Sequence, residues 1–306
     1  MIKPPALRPG DLVGVAAPAG PVKEDELGPG LDLLRSLGLE VVTGRHVYDK
    51  RGYTAGSDRA RLEDLHHMLA REDIRAVFCA RGGYGSMRLL PALDFVLAAG
   101  RPKVVAGYSD VTAILLAIYQ RSRVVTFHGP VVKELPEKGV EDIAGILMDE
   151  QISASPMVLD LSGKGLVLTA GLARGKVLGG NLSILTHLAG TPYMPDLEGA
   201  VLFLEETGEP LYRVDRMITH LALSGVFRGL AGLLIGDFIG CGDPYAVQDL
   251  LMEHVGPLEI PVMAGFPVGH GRVNRLVPMG LEATVDTAAM RVIWHESCLS
   301  DPETAA

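Results

Sequence analysis

The chain has 306 residues, enough for one large or two medium domains, and 48% of them are hydrophobic, so a substantial core can be buried. A formal net charge of -9, with no local run of Lys or Arg, argues against nucleic acid, whose phosphates call for basic patches. No run approaches the ~18 apolar residues of a membrane span, so no membrane partner is expected.

Met1-Ile2-Lys3-Pro4-Pro5 lacks the apolar segment of a signal peptide. Leu12 to Ala17 reads as a buried strand ended by Pro18. A helical segment runs on to Leu37, weakened by Gly28-Pro29-Gly30, and Leu39 to Val42 is the next strand. Leu62, Leu65, Met68 and Leu69 give Arg59 to Leu69 a helical period, before a third strand at Ile74 to Ala80. Val104 to Ala106 and Val124 to Phe127 complete a five-stranded set. This alternation predicts an α/β N-terminal domain over residues 1–132, a mostly parallel, doubly wound sheet with helices on both faces. Ligands of such sheets gather beyond the carboxyl ends of the strands.

Residues 133–162 read as a linker, with a short helix around Val140 to Met148. A C-terminal domain over residues 163–306 is expected to be mixed α/β and rich in β structure. Its strands fall at Val201 to Leu204, Leu230 to Ile235, Val262 to Ala264, Leu281 to Val285 and Met290 to Trp294. Helices cover Leu182 to Ala189, Tyr212 to Leu223 and Tyr245 to His254, and the tail after Cys298 reads as polar and frayed. Cys79, Cys241 and Cys298 have no metal-ligand spacing and leave an odd one over, Cys79 reading as a buried thiol. A reduced, cytoplasmic protein is the expectation.

Four places carry chemistry. At Gly107-Tyr108-Ser109-Asp110 the fourth strand turns into a helix marked by Val111, Thr112, Ile114, Leu115 and Ile118. A serine at such a corner is lifted from the sheet, its hydroxyl near the positive end of the helix, as in alpha/beta hydrolases. Gly-x-Ser-x-Gly is absent, and by local pattern alone a capping serine is the simpler reading. Arg81-Gly82-Gly83-Tyr84-Gly85-Ser86 follows the third strand. It reads as a plain turn, as a phosphate loop lacking the Gly-x-Gly-x-x-Gly spacing and the Walker lysine, or as an oxyanion donor. In the last case an N–H of Gly82 or Gly83 works with that of Asp110. Glu205 and Glu206 end an apolar strand, where a carboxylate is a turn residue or the acid that orients an imidazole. His270 lies between glycines in a loop, whereas His66, His67, His187, His220 and His254 fall on helices and read as surface or packing residues.

These motifs, with Gly179-Gly180-Asn181-Leu182, Leu204-Glu205-Glu206-Thr207-Gly208-Glu209, Tyr212 to Met217 and Gly269-His270-Gly271, resemble the LD-carboxypeptidase (muramoyltetrapeptide carboxypeptidase) family of serine peptidases. The likeness runs in order from about Leu12 to Gly280. It implies a Ser-Glu-His triad of Ser109, Glu205 and His270, with the serine in the N-terminal domain and the others in the C-terminal one. It also implies an active site at the domain interface, no metal or cofactor, and cleavage between a diamino acid and terminal D-alanine in cytoplasmic murein tetrapeptide. Glu206 often matches an Asp of the family pattern, which favours Glu205. A carboxypeptidase must hold the free terminal carboxylate, for which Arg81 is a candidate beside a structural ion-pair reading. The family also holds microcin C immunity peptidases, which use aromatic contacts to a base. Here the only tryptophan, Trp294, lies on a late strand and reads as structural. A homodimer is compatible with all of this. A small-ligand sensor and a nucleotide-dependent enzyme are the other readings.

Overall fold

The computed structural model describes residues 1–148 and 157–300. Its first half is built from short apolar strands joined by helices. The strands are β1 (Leu12–Ala16), β2 (Glu40–Thr43), β3 (Ile74–Cys79), β4 (Val104–Gly107) and β5 (Thr126–His128). They pair in parallel in the order β5-β4-β3-β1-β2. Parallel sheets are covered on both faces, so their strands read as unbroken apolar runs. The connecting helices are α1 (Glu24–Ser36), α2 (Asp58–Ala70), α3 (Phe95–Gly100) and α4 (Thr112–Ser122). α4 is buried on nearly every side because it contacts β4 and β5 as well as elements of the second half.

The segment from Lys133, expected to be a linker, starts as part of the first half. A 3-10 turn leads into α5 (Leu135–Lys138), and both lie against α1. Lys133 Nζ donates to Glu26 Oε1 at 2.7 Å, and its N–H to the Ala80 carbonyl at 3.0 Å. Val131, Val132 and Leu135 are buried, but three apolar residues are too few to set a readable period. A π-helical stretch spans Ile143–Met148, and residues 149–156 of the expected linker lie outside the described residues.

The second half contributes β6 (Val158–Asp160), β7 (Leu166–Thr169), β8 (Leu172–Asn181), β9 (Val201–Thr207), β10 (Gly232–Ile239) and β11 (Val262–Ala264). Then come β12 (Val277–Met279), β13 (Glu282–Asp286) and β14 (Arg291–Trp294), with helices α6 (Leu182–Leu188), α7 (Leu211–Leu223) and α8 (Pro244–Val255). The mixed sheet runs β6-β14-β13-β8-β9-β10-β11-β7. β8 bridges its two parts. Its first residues pair antiparallel with β13, and Val177 to Asn181 pair parallel with β9.

β12 crosses back to the first sheet and pairs antiparallel with β5. Residues 277–279 therefore belong to the first sheet although they fall within the expected C-terminal domain. As an edge strand β12 tolerates Pro278, which a central strand would not. The tail is not frayed up to Ser300, whose N–H donates to the Pro4 carbonyl at 2.9 Å and whose carbonyl accepts from Ala6 at 3.2 Å. Burial of Cys298 and Leu299 accounts for this order, and residues 301–306 lie outside the described residues. Among the described residues no helix is long and apolar enough to cross a membrane.

Candidate active site

Ser109 occupies the corner between β4 and α4 with φ +61°, a left-handed conformation that costs a non-glycine residue about 1–3 kcal/mol. No helix N–H bonds to its hydroxyl among the described residues, so the serine is not a cap. The corner is tied to the glycine loop. Asp110 Oδ2 accepts the Ser86 N–H at 2.8 Å, and the Ser86 hydroxyl donates to the Asp110 carbonyl. The Gly82 carbonyl accepts from the Gly20 N–H at 3.0 Å. Gly82 lies so close to Ser109 that an added Cβ would sit 2.9 Å from the serine Oγ, so only glycine fits there.

Arg81, expected near the substrate carboxylate, turns away from this site. Its Nη1 donates to the Pro21 carbonyl at 2.8 Å, and its side chain does not line the cavity over Ser109. A neighbouring backbone carbonyl offers the guanidinium a local partner that its place in the loop did not reveal.

Glu205 and Glu206 are consecutive in β9, so their side chains leave opposite faces. Glu205, fully buried, reaches His270, with Oε2 2.7 Å from Nδ1. Glu206 accepts from Asn181 Nδ2 at 3.0 Å, Ser183 N–H at 2.8 Å, Ser183 Oγ at 2.7 Å and Thr207 N–H at 2.8 Å. The first carboxylate orients an imidazole. The second braces the start of α6.

The His270 loop is held by its neighbours. Gly269 N–H donates to Asn274 Oδ1 and Gly271 N–H to Asp237 Oδ2, each at 3.1 Å, while Lys138 bonds the Gly271 carbonyl. The imidazole lies 4.7 Å from the Tyr108 ring, the residue before Ser109, which brings the histidine to the serine corner. No hydrogen bond joins Ser109 Oγ to His270 in this structure among the described residues. Burial disfavours the His270 imidazolium, but the Glu205 bond and charge outweigh it, and the histidine is held above its ordinary value. Burial in turn raises Glu205, against the pull of His270.

Three supporting residues carried no separate signal in the sequence. Tyr108 donates to Glu134 Oε2 at 2.7 Å and also contacts Oε1 at 2.9 Å, and its buried ring braces His270. His128 lies under Tyr108, edge-on to it and to Phe203, and burial followed by the His270 charge pushes it down to about 3, so it is neutral. Glu134 falls in the expected linker, where nothing marked it. A cavity of about 530 Å³ opens over Ser109, lined among others by Gly83, Arg88, Asp110, Asn181 and Glu206 from both halves. Among the described residues no group of three His, Cys, Asp or Glu side chains is arranged to hold a metal ion.

The LD-carboxypeptidase N-terminal domain matches residues 13–129, and the LD-carboxypeptidase C-terminal domain matches residues 174–285. The chain is 36% identical to a probable murein peptide carboxypeptidase of Bacillus subtilis, over 94% of this chain and 92% of that protein. It is 33% identical to the murein tetrapeptide carboxypeptidase of Pseudomonas aeruginosa, over 91% of this chain and 94% of that protein. Its fold is shared with a solved structure of MccF in complex with glutamyl sulfamoyl guanosine, with TM-score 0.90 and 24% identity, over 98% of this chain and 100% of the other. The domain matches and the two carboxypeptidase likenesses together place this chain in the LD-carboxypeptidase family of peptidases.

Proposed function

We propose that the chain is a cytoplasmic serine carboxypeptidase that hydrolyses the L,D-peptide bond to terminal D-alanine in murein tetrapeptide, for cell-wall recycling. The observation that carries this reading is the Glu205–His270 bond of 2.7 Å beside a serine held at φ +61°. With Glu205 accepting from Nδ1–H, His270 Nε2 is left as the base that takes the Ser109 proton. Ser109 Oγ attacks the carbonyl of the diamino acid. The oxyanion is met by the Asp110 N–H and by one from Gly82 or Gly83, on the loop that touches the serine. His270 then passes its proton to the leaving amine, D-alanine departs, and water hydrolyses the acyl-enzyme by the same base.

Cleavage of a microcin-type peptidyl-nucleotide is the competing peptidase reading. Trp294, the only tryptophan, is fully buried in β14 and unavailable to stack on a base. A sensor that binds without reacting is the non-enzymatic alternative, and a serine-directed phosphonate separates it, since only an activated Ser109 is labelled. The deciding experiment incubates the purified protein with murein tetrapeptide and a microcin-type substrate in parallel. Release of D-alanine from the first alone is expected, with poor cleavage of a tetrapeptide ending in L-alanine. Turnover of the peptidyl-nucleotide alone would reverse the assignment.

A further inference from the structure

We infer that Arg88 is the receptor for the free carboxylate of the departing residue, an assignment that rests on the carboxypeptidase reading above. Arg88 is the one guanidinium, among the described residues, that lines the cavity over Ser109. Its Nε contacts Asp58 Oδ1 at 3.0 Å and Oδ2 at 2.9 Å, and its Nη2 donates to Oδ2 at 2.7 Å. That fork fixes the plane of the guanidinium and leaves Nη1 with no acceptor among the described residues. Asp58 does not neutralise it. The same carboxylate also takes Arg61 Nη2 at 2.5 Å, so two cations share one anion. Arg61 is buried and spends its other terminal nitrogen on the Pro18 carbonyl, so the surplus positive charge falls to Arg88, whose side chain is 50% exposed.

The acids lining the same cavity already have partners of their own. Asp110 holds the Ser86 N–H, Glu206 has four donors, and Glu209 pairs with Arg213 at 3.3 Å. Glu206, whose four donors are all neutral, also makes the wall from the second half negative, which drives an incoming carboxylate toward the glycine-loop side where Arg88 stands. Arg88 sits two residues after Ser86, whose N–H and hydroxyl are tied to Asp110, so the cation is anchored to the serine corner itself.

The test is the binding of a tetrapeptide with a free C-terminal carboxylate, and of its C-terminal amide, to the full chain carrying Ser109→Ala, by calorimetry. The acid is expected to bind more tightly than the amide. Adding Arg88→Gln should weaken the acid about 10- to 100-fold and leave the amide nearly unchanged, as loss of a charge-assisted bond requires. Arg88→Lys should restore part of the preference. Equal weakening of both peptides would show that Arg88 acts only through Asp58 and Arg61 on the loop, and would overturn the assignment. So would an acid preference that survives Arg88→Gln, or failure of the acid to bind the Ser109→Ala chain. D-alanine release by the wild-type chain is measured alongside: peptide that binds with this preference but is never cleaved refutes the peptidase reading and leaves the carboxylate receptor standing.

Discussion

Replacing Gly82 by alanine probes the contact between the glycine loop and the corner serine. The new methyl would fall 2.8 Å from Ser109 Cβ and 2.9 Å from its Oγ. Carbon atoms settle about 3.5–4.0 Å apart, so loop and corner must separate by about 0.7 to 1.2 Å. Neither side yields freely, because Gly82 is bonded to Gly20 and Asp110 to Ser86. Gly82 does not have a positive φ, so alanine introduces no backbone strain and the contact is isolated. Overpacking of this kind costs about 1–3 kcal/mol of stability. A nucleophile displaced by about 1 Å costs on the order of 100-fold in rate, and that loss is expected in kcat more than in KM. Initial rates of D-alanine release, with a thermal melt of the same sample, measure both effects. A folded Gly82→Ala protein with wild-type kcat would refute the argument that this loop and Ser109 form one rigid unit.

Ser109→Ala, His270→Ala and Glu205→Ala should each remove nearly all turnover, and the double variants should be scarcely worse than the singles, because the three act together. Near-normal rates for Ser109→Ala would end the serine-peptidase reading. The base must be neutral, so kcat/KM should fall as pH drops through the raised His270 value, above its ordinary 6.5. Glu205→Gln removes the negative charge that raises it and leaves only a neutral amide oxygen to accept from Nδ1–H, so in a pH–rate series the acid limb should move to lower pH; an unmoved limb would separate the two residues. Tyr108→Phe keeps the ring against His270 and strips Glu134 of its donor. Chemical denaturation should show a loss of about 1–3 kcal/mol, the cost of an unmade hydrogen bond. Turnover should change much less than in Tyr108→Leu, which removes the ring itself.

The alternation of strands and helices was readable because parallel strands covered on both faces announce themselves as unbroken apolar runs. The corner serine, the strand-end acids and the loop histidine were readable for the opposite reason: each interrupts regular structure with glycine or charge where an apolar run stops. β8 escaped because Arg174, Lys176 and three glycines break its run, and β12 because three residues containing a proline carry no period. Periodicity reports only how a segment meets solvent. It does not say which segment lies opposite. Only the folded chain brings Glu205 to His270 across 65 positions and turns Glu206 to α6. The fold likewise commits Arg81 to a backbone carbonyl and leaves Arg88 facing the cavity. It also recruits Glu134, from a stretch without pattern, to hold the tyrosine beneath the histidine. These pairings depend on which strand ends converge in space, and convergence is a property of the packed sheets rather than of any local run of residues.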